Sequence, residues 1–542
     1  MAGAHSRRVL PPAHDWAALR RNFTWRVPPG FTIHESCCDS WARAEPHRRA
    51  LIDAGADGTL RHYTYGQLRD ASDRLATALA AHGLGRGDRV AVYLPQGPEV
   101  LITHFAVMKL GAVSLPLFTL FGPDAIEYRL RDSGARMLVT DRDNLDKITA
   151  LRDHLPELAE IYCTAPAPDP VRDLWGEIAA AAPLNTPAPV GAEDPAVMIY
   201  SSGTTGEAKG VLHAHRFLVG HLPSIELHHD FFPQPGDVGW TPADWAWIGG
   251  LMDMALPCLH YGVPLVSHRM RRFDPDAAWR LIAGQGVRNL FLPPTALRLM
   301  RQATVPPGVD IRSIGSGGES LGDDVLDWGR ETLGVGVNEF YGQTECNLVV
   351  TSCGALFAPR PGAMGRATPG VDLGVIGPDG VEIADGALGE IAVRGTPPAM
   401  FLRYWNRPEA TAAKFSGGWM RTGDLGRRDA DGYFTFVSRD DDVITSSGYR
   451  VGPAEIENCL TGHSAIALAA CVGVPDPVRT EVVHAFVVLR EGAVWSDDLA
   501  AELTALVRER VGAHVAPRRI TPRDSLPMTA TGKIIRRALR EP

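Results

Sequence analysis

Short apolar stretches alternate with helix-length stretches through most of the chain, and this alternation limits the fold more than any other feature. The stretches RVAVYLP (89–95), ARMLVTD (135–141) and AVMIYSS (196–202) each have the length and composition of a buried strand. A helical apolar stretch, 99–110, follows the first of them. Strands that alternate with helices favour largely parallel sheets. We therefore predict an α/β fold for the larger part of the chain.

The sequence pattern changes twice toward the carboxyl end. Between about 362 and 400, short strands such as GEIAVRG are separated by Gly and Pro and predict a small β subdomain. After residue 440, EVVHAFVVL and DDLAAELTALVRERV predict a separate α+β unit. The sequence thus predicts a large N-terminal domain of layered α/β subdomains, 1–438, and a small C-terminal α+β domain, 439–542. The Ala- and Pro-rich stretch 163–196 is interpreted as an irregular surface connection.

Charge and composition argue against several classes of protein. The formal net charge of −9 disfavours a nucleic-acid-binding surface. The eight cysteines have no metal-ligand spacing and are interpreted as reduced thiols, so neither a disulfide framework nor a zinc site is expected. The apolar stretch 100–122 contains His104, Lys109 and Pro116, and we interpret it as a buried helix ending near Gly111 followed by a core strand, not as a membrane span. The amino terminus lacks the apolar segment of a secretory signal, so the expected location is the cytoplasm. The sequence does not indicate an oligomeric state.

The stretch YSSGTTGEAKG (200–210) places Ser, Thr and Gly around one lysine directly after an apolar strand. Small residues there let backbone N–H groups approach an anion, so the stretch predicts a phosphate-binding loop. The Walker pattern GxxxxGK[ST] does not match, because Ala208 precedes Lys209 and Gly210 follows it. Of the 54 basic residues five are lysines, and Lys209 and Lys533 both lie in Gly- and Thr-rich stretches. A lysine in an arginine-rich chain indicates a compact charge at a reacting phosphate.

Five stretches, in the same order along the chain, resemble the motifs of the adenylate-forming (AMP-binding) superfamily, which includes acyl-CoA synthetases, firefly luciferases and the adenylation domains of peptide synthetases. They are YSSGTTGEAKG (200–210), EFYGQTEC (339–346), RTGDLG (421–426), SRDDDVITSSGYRVGPAEIE (438–457) and TATGKIIR (529–536). The resemblance implies an AMP-forming acid–thiol ligase of the acetyl-/medium-chain acyl-CoA synthetase type. Such an enzyme uses ATP, Mg²⁺ and coenzyme A to convert a small carboxylic acid to an acyl-adenylate, with release of pyrophosphate, and then to a thioester.

The resemblance implies which residues bind ATP. The phosphate loop would hold the β- and γ-phosphates through Ser201, Ser202, Gly203, Thr204, Thr205, Gly206 and Lys209. The adenine would be enclosed by Gly318, Glu319, Ser320, Glu339, Phe340, Tyr341, Gly342, Gln343 and Thr344. Asp424, assisted by Arg439, would accept hydrogen bonds from the ribose hydroxyls. Glu345 would bind Mg²⁺, which suits a hard cation that shares oxygen ligands with a nucleotide.

The resemblance also implies that the C-terminal unit is mobile and takes part in both half-reactions. Lys533 would contact the forming bond between the carboxylate and the α-phosphate, where it would neutralise charge that builds up in the transition state. With Lys209 and Glu345 it completes the implied catalytic set. The unit would rotate about a hinge at Asp441 between the two half-reactions. The implied CoA contacts are Ser447, Gly448, Tyr449, Arg450, Arg479 and Arg518.

The resemblance indicates an acid larger than acetate. The stretch TPADWAWIGGL (241–251) resembles the acyl-pocket segment of acetyl- and medium-chain synthetases, and its residues Trp247, Ile248 and Gly249 would line the pocket. Acetate-specific relatives have tryptophan and valine at the positions of Gly342 and Gly317. An indole contributes on the order of 150–250 Å² of contact surface, so its replacement by glycine is expected to open space for several methylenes. We therefore expect a medium-chain, branched or aromatic monocarboxylic acid.

Three other functions fit parts of the sequence. A stand-alone adenylating enzyme that loads the pantetheine of a carrier protein would share the motifs and is the main alternative. A non-catalytic nucleotide-binding protein would not need Lys533 in addition to Lys209, Glu345 and Asp424. A phosphotransferase that releases ADP is disfavoured because the Walker pattern fails.

Overall fold

The computed structural model describes residues 7–12, 15–55, 57–201, 208–318, 321–439, 442, 444–446, 449–476, 480–511, 515–529 and 533–540. These residues form three β-sheets with helices packed against them. The predicted architecture, α/β through most of the chain with a smaller α+β unit at the carboxyl end, is confirmed.

The first sheet contains the parallel strands that the alternating pattern predicts. Its eight described strands are, from edge to edge, Arg403–Tyr404, Lys209–Ala214, Pro195–Ser201, Val113–Pro116, Arg89–Tyr93, Met137–Thr140, Glu160–Cys163 and Arg172–Asp173. The pairings from Pro195–Ser201 to Arg172–Asp173 are parallel, and the two at the opposite edge are antiparallel. The strands predicted within 89–95, 135–141 and 196–202 are therefore confirmed.

The second sheet is larger and joins a parallel part to an antiparallel part. Its strands, in spatial order, are Asp372–Ile376, Gly389–Arg394, Trp419–Arg428, Tyr433–Arg439, Gly365–Ala367, Cys346–Thr351, Val337–Gln343, Ser313–Ser316, Asn289–Phe291, Gly239–Trp240, Leu265–Ser267, Arg49–Ala54 and Leu60–Thr64, with Phe415–Ser416 paired to Trp419–Arg428. Pairing is parallel between Val337–Gln343 and Arg49–Ala54 and antiparallel on both sides of that part. The short strands predicted between 362 and 400 are present, and their hydrogen bonds continue into the parallel part.

The third sheet belongs to the C-terminal unit. It contains Tyr449–Val451, Ile444–Ser446, Thr480–Leu489 and Ile466–Asp476 in spatial order, and Arg519–Pro522 pairs in parallel with Thr480–Leu489. Helices Pro453–Thr461 and Asp497–Arg510 bury Ile456, Leu460, Leu503 and Val507 against this sheet. This unit therefore has its own apolar core.

Several of the described helices begin at a residue whose side chain caps the helix. The described α-helices are Trp16–Asn22, Ser40–Ala44, Tyr65–Ala81, Pro98–Lys109, Pro123–Ser133, Arg142–Thr149, Leu174–Ala180, Phe217–His228, Ile248–Gly250, Leu256–Tyr261, Pro275–Gln285, Pro294–Met300, Asp323–Trp328, Pro408–Ala413, Pro453–Thr461, Asp497–Arg510 and Arg537–Arg540. Glu35–Asp39, Leu251–Ala255 and Gly329–Leu333 are π-helices, and Arg152–His154 is a 3₁₀ turn. Tyr65–Ala81 begins at a capping box, in which Thr64 and Gln67 satisfy each other's backbone N–H groups.

The structure tests two interpretations of ambiguous stretches. The apolar stretch 100–122 forms the buried helix Pro98–Lys109 and then the buried strand Val113–Pro116, as expected. Within the described ranges, no helix is long and apolar enough to cross a membrane. The interpretation of 163–196 as irregular is wrong in part, because it contains helix Leu174–Ala180. The Asp173 side chain caps that helix, and Leu174 and Ile178, one turn apart, are buried under it.

Lys109, one of the five lysines, forms buried ion pairs that stabilise the fold. Lys109 is fully buried, and its ammonium lies 2.9 Å from Asp39 Oδ1 and 2.6 Å from Asp73 Oδ1. It also donates to Ser72 Oγ at 2.8 Å. Burial works against the charged ammonium, but the charges of Asp39 and Asp73 keep the pKa of Lys109 above its usual value. These contacts connect helix Pro98–Lys109 with helix Tyr65–Ala81, which contains Ser72 and Asp73, and with the π-helix Glu35–Asp39, which contains Asp39.

Removal of this buried ammonium tests how much the cluster stabilises the fold. We expect Lys109→Met to lower the free energy of unfolding by about 3–5 kcal/mol, because two buried carboxylates lose their counter-charge. The measurement is urea unfolding followed by tryptophan fluorescence. As a control, Arg86→Met removes an ion pair with Asp194 in which the Arg86 side chain is 58% exposed, and we expect a loss below about 1 kcal/mol. Equal losses in the two variants would contradict the structural role of Lys109.

Candidate active site

A two-residue hairpin turn presents Glu345 at the junction of the parallel and antiparallel parts of the second sheet. Strands Val337–Gln343 and Cys346–Thr351 pair with each other, and Gln343 lies opposite Cys346. Thr344 and Glu345 form the turn between them. The Glu345 side chain is 8% exposed. The sequence EFYGQTEC therefore folds so that a carboxylate is held at the end of a strand.

Lys209 begins the strand Lys209–Ala214, opposite Ser201 at the end of Pro195–Ser201. The loop residues Ser202, Gly203, Thr204, Thr205 and Gly206 lie outside the described residues. The Lys209 ammonium lies over the ring of Tyr404, 5.1 Å from its centroid. A cation in this position is attracted by the ring quadrupole.

Tyr404 also contacts Glu345, so one side chain connects the predicted phosphate-binding lysine and the predicted metal-binding carboxylate. The Tyr404 hydroxyl donates to Glu345 Oε1 at 2.5 Å. Burial, together with the nearby Glu345 charge, raises the pKa of Tyr404, so the phenol stays protonated and donates the hydrogen bond. The main chain supports the same contact, since the Phe401 N–H donates to the Glu345 carbonyl at 2.9 Å.

A second buried carboxylate, Asp424, is held by three side chains. Tyr341 Oη donates to Asp424 Oδ2 at 2.5 Å, and Gln343 Nε2 donates to the same oxygen and, at 3.0 Å, to the Thr422 carbonyl. Arg439 Nη1 lies 3.0 Å from Asp424 Oδ1 in the neighbouring strand. Oδ1 nevertheless accepts no hydrogen bond from the part of the chain that the structure describes. The structure thus brings together four residues that the sequence assigns to nucleotide binding.

Glu339 lies in the strand Val337–Gln343, which also carries Tyr341 and Gln343. Its register partner is Ser316, so it faces the segment that contains Gly318. Burial raises the pKa of Glu339 to about 8, although the Leu321 N–H donates to its carboxylate. The carboxyl is therefore largely protonated near neutral pH. Glu319 and Ser320, predicted next to it, lie outside the described residues.

The segment predicted to line the acyl site packs against a group of aromatic rings. The Trp247 and Phe291 rings lie 5.5 Å apart, Phe291 lies 5.5 Å from Phe340, and Phe340 stacks on His228 at 4.5 Å. Burial lowers the pKa of His228 to about 3, so the imidazole is neutral. Its Nε2 has no hydrogen-bond partner within the described ranges. Ile248, next to Trp247, is buried as well.

The two glycines expected to open space have packed atoms beside them. A Cβ atom built on Gly317 would lie 2.5 Å from Cε2 of Phe340, and one built on Gly342 would lie 2.3 Å from the Leu348 nitrogen. The expectation of open volume directly beside these glycines is therefore wrong. They permit the chain's own ring and backbone to approach closely. Gly249 and Gly318 similarly contact the Trp247 ring, whose carbon atoms lie 2.8 and 3.2 Å from Cβ atoms built there.

An acid–amide pair lies beyond Gly342. Asn347 Nδ2 donates to Asp253 Oδ1 at 2.6 Å, and both residues are buried. Burial raises the pKa of Asp253 well above its usual range, which favours the neutral carboxyl. Burial therefore works against a fixed negative charge on this side of the region.

The predicted residues of the C-terminal unit are only partly described. Lys533 is exposed, and its backbone N–H donates to Thr529 Oγ1 at 3.1 Å. Arg518 is exposed, and its backbone N–H donates to the Val483 carbonyl at 2.9 Å. Tyr449 and Arg450 lie in the strand Tyr449–Val451. The predicted Asp441, Ser447, Gly448 and Arg479 lie outside the described residues.

Sequence reasoning missed Tyr404, Phe291 and His228. Tyr404 is separated from Glu345 by 59 positions, and His228 is separated from Phe340 by about twice as many. None of the three lies in a Gly-rich or charged motif. An apolar helix that ends in two histidines, LHH (227–229), is the signal that would have drawn attention to His228.

Comparison with known proteins agrees with this arrangement. The family model described as AMP-binding enzyme matches residues 38–405, and the model described as AMP-binding enzyme C-terminal domain matches residues 455–533. The acetyl-coenzyme A synthetase of Bacillus subtilis (strain 168) is 32% identical over 88% of this chain and 84% of its own length. Other relatives at 30–31% identity are also named acetyl-coenzyme A synthetases.

Solved structures of similar proteins cover both the N-terminal and the C-terminal part of the chain. An acyl-CoA synthetase of Brucella canis has a TM-score of 0.76 at 33% identity and covers 98% of this chain and 99% of its own. The anthranilate CoA ligase AuaEII, in complex with anthranoyl-AMP, has a TM-score of 0.87 at 25% identity and covers 95% of this chain and 97% of its own.

Fold and relatives together define an AMP-forming acid–thiol ligase of the acyl-CoA synthetase type. The chain belongs to the AMP-binding enzyme family, and the resemblance stated from the five motifs is confirmed. AMP-binding enzymes use ATP, and coenzyme A is a substrate of acyl-CoA synthetases.

The raised pKa of Glu339 gives a pH-dependent prediction. The folded-state pKa of about 8 exceeds the usual 4.5, so the carboxyl binds a proton more tightly in the folded than in the unfolded chain. Its contribution to stability is therefore largest below about pH 4.5 and falls as the pH rises toward 8. Glu339→Gln, which cannot ionise, should raise the melting temperature by at least about 2 °C more at pH 8.5 than at pH 5.5. Scanning calorimetry at both values provides the measurement, and a pH-independent difference would contradict the assignment.

Proposed function

We propose that this enzyme activates a medium-chain, branched or aromatic monocarboxylic acid as its acyl-adenylate and transfers the acyl group to coenzyme A. A carboxylate oxygen forms a bond to the α-phosphorus of ATP while the bond to the bridging oxygen breaks, and pyrophosphate leaves with the electron pair. In the second half-reaction the thiol sulfur bonds to the carbonyl carbon, loses its proton and displaces AMP. The first step brings two anions together, so it depends on positive charge and oriented donors.

The site around Asp424 supports nucleotide binding. Asp424 Oδ1 lies 3.0 Å from Arg439 Nη1 but accepts no well-aligned hydrogen bond from the described residues, so it retains an acceptor position. A ribose hydroxyl would supply the missing donor, while Tyr341 and Gln343 keep the other oxygen fixed. Arg439 would balance the charge of the carboxylate. Glu339, Phe340, Gly342, Thr344 and Gly318 would lie around the adenine, together with Glu319 and Ser320.

The Lys209 and Glu345 pair supports phosphate and Mg²⁺ binding. Lys209 and Ser201 end the two strands that flank the Gly-rich loop, so the loop residues would place their N–H groups and hydroxyls around the β- and γ-phosphates. The described residues contain no cluster of three or more His, Cys, Asp or Glu side chains that would hold a metal alone. That finding is compatible with a Mg²⁺ held by one carboxylate, Glu345, and completed by phosphate oxygens. When bound, the ion would supply positive charge to the phosphates.

The observation that carries the substrate proposal is the group of aromatic rings around the predicted acyl site. Position 342 carries no side chain, so the indole that acetate-specific relatives have at this position is absent. The neighbouring rings of Trp247, Phe291 and Phe340 provide an apolar, aromatic surface. Burial raises the pKa of Asp253 and so works against a charge there that would favour an amino acid. The anthranoyl-AMP bound by AuaEII also supports an aromatic acid.

A panel of carboxylic acids tests the substrate class. We expect ATP–pyrophosphate exchange with acids such as octanoate, isovalerate, benzoate and 2-aminobenzoate, and the best of them should exceed acetate in kcat/KM by at least about tenfold, because each buried methylene contributes about 0.8 kcal/mol. Formation of the CoA thioester is then measured for every acid that supports exchange.

Two results of this panel would overturn parts of the proposal. Acetate as the best acid would contradict the substrate class but leave the reaction intact. Pyrophosphate exchange without thioester formation would instead favour loading of a carrier-protein pantetheine. Release of ADP in place of AMP would exclude the reaction.

Replacement of Lys533 separates the two half-reactions. We expect Lys533→Ala to reduce adenylation by at least about 100-fold, because charge stabilisation in the transition state is lost. Thioester formation from supplied acyl-adenylate should remain within about threefold of the unaltered enzyme, because the lysine acts in the first step. The control is Lys147→Ala, which removes a lysine that donates to Asn144 Oδ1 within its own helix, Arg142–Thr149, and should leave both steps unchanged. Equal loss of both half-reactions would contradict this role for Lys533.

The CoA contacts and the hinge remain part of the same proposal. Rotation about Asp441 would bring Ser447, Gly448, Tyr449 and Arg450 to the acyl-adenylate, and Arg479 and the exposed Arg518 would bind CoA phosphates.

A further inference from the structure

Tyr404 contacts both oppositely charged groups of the nucleotide site. Its side chain is 2% exposed. Its hydroxyl donates to Glu345 Oε1 at 2.5 Å, and its ring centroid lies 5.1 Å from the Lys209 ammonium. None of the five motifs contains this residue.

We propose that Tyr404 is a positioning residue that fixes the Glu345 carboxylate for Mg²⁺ and holds the Lys209 ammonium beside it. The inference rests on the proposed function, in which Glu345 and Lys209 act on the metal and on the phosphates of ATP. It adds a specific role for the hydroxyl, which acts on Glu345, and a separate role for the ring, which acts on Lys209.

The main chain around Tyr404 explains why this side chain reaches both groups. The strand Arg403–Tyr404 pairs with Lys209–Ala214, and the Trp405 N–H donates to the Gly210 carbonyl at 2.7 Å. On the other side, the Phe401 N–H donates to the Glu345 carbonyl at 2.9 Å. One short segment is therefore hydrogen-bonded both to the residue after Lys209 and to Glu345 itself. Its backbone fixes the distance between them, and the Tyr404 side chain fixes their orientation.

The two contacts differ in chemistry, and the difference suits a metal–phosphate site. A carboxylate has about four acceptor positions, so one hydrogen bond from Tyr404 orients Glu345 and leaves positions for a cation. A phenol donates without bringing positive charge, so it does not neutralise the carboxylate as an arginine would. The ring attracts the Lys209 ammonium through its quadrupole and gives it no formal counter-charge, so the ammonium keeps its charge for a phosphate.

Nucleotide binding with and without Mg²⁺ tests the role of the hydroxyl. Tyr404→Phe keeps the ring and removes the donor, and we expect it to weaken binding of Mg·ATP by about tenfold, as for loss of a hydrogen bond to a charged group. Binding of ATP in EDTA should change by less than about twofold, because Lys209 and the ring are retained. Isothermal titration calorimetry measures both dissociation constants without relying on turnover.

A second substitution isolates the ring. Tyr404→Leu removes both the donor and the aromatic face, so we expect it to weaken ATP binding in EDTA as well, and by more than Tyr404→Phe does. The control is Tyr433→Phe, which removes the hydroxyl of another buried tyrosine that donates to the Ala358 carbonyl at 2.9 Å. Neither dissociation constant should change in the control.

A double-mutant cycle shows whether Tyr404 acts through Glu345. In a Glu345→Gln background, Tyr404→Phe should have no further effect on Mg·ATP binding, because the carboxylate that the hydroxyl positions is gone. Full additivity of the two substitutions would overturn the proposal. So would a Tyr404→Phe variant whose Mg·ATP affinity is unchanged, or whose affinity falls equally with and without the metal.

Failure of this inference is distinguishable from failure of the proposed function. If the unaltered enzyme binds Mg·ATP and exchanges pyrophosphate but Tyr404→Phe behaves like Tyr433→Phe, the positioning role is wrong and the function stands. If the unaltered enzyme neither binds ATP nor exchanges pyrophosphate with any acid of the panel, the function itself is wrong. A melting temperature for each variant excludes simple unfolding as the cause of an affinity change.

Discussion

The contact between Tyr404 and Glu345 depends on how two sheets are joined, and the nucleotide site depends on that contact. The strand Arg403–Tyr404 belongs to the first sheet, whereas Glu345 lies in a hairpin turn of the second. A hydrogen bond from the Phe401 N–H to the Glu345 carbonyl connects them. Buried backbone groups need such partners, so the same bonds that satisfy the chain also bring Lys209 and Glu345 to one place.

The buried charges of the molecule are held in two different ways. Lys109 forms ion pairs with the carboxylates of Asp39 and Asp73, so its charge is balanced within the fold. Glu345 and Lys209 contact a neutral tyrosine, and Asp424 keeps one oxygen without a donor within the described ranges. A fully paired ion stabilises structure, whereas incompletely satisfied groups keep their capacity to bind a ligand. This difference separates the environment of the buried Lys109 from that of the partly exposed Lys209 although the residue type is the same.

The region proposed for the acyl group shows how a glycine is easily misread in a sequence. A small residue in place of a large one suggests free volume, yet Phe340 and the backbone near Leu348 occupy the space beside Gly317 and Gly342. Interiors pack to nearly constant density, so neighbouring atoms fill what a missing side chain leaves. The consequence for substrate choice comes from which atoms fill the space: here they are aromatic rings and the hydrogen-bonded side chains of Asp253 and Asn347.

The sequence by itself determined the α/β fold, the two-part order of the chain and the family, because strand and helix periodicity and Gly-rich motifs are local properties. It also predicted that Asp424, Arg439, Tyr341 and Gln343 belong to one site, since each lies in a recognisable motif. Only the tertiary structure decided that Tyr404 connects Lys209 with Glu345, that Lys109 is structural, and that the two glycines permit close packing. These features depend on contacts between residues far apart in the chain, and no local pattern of side chains encodes which distant surface will pack against them.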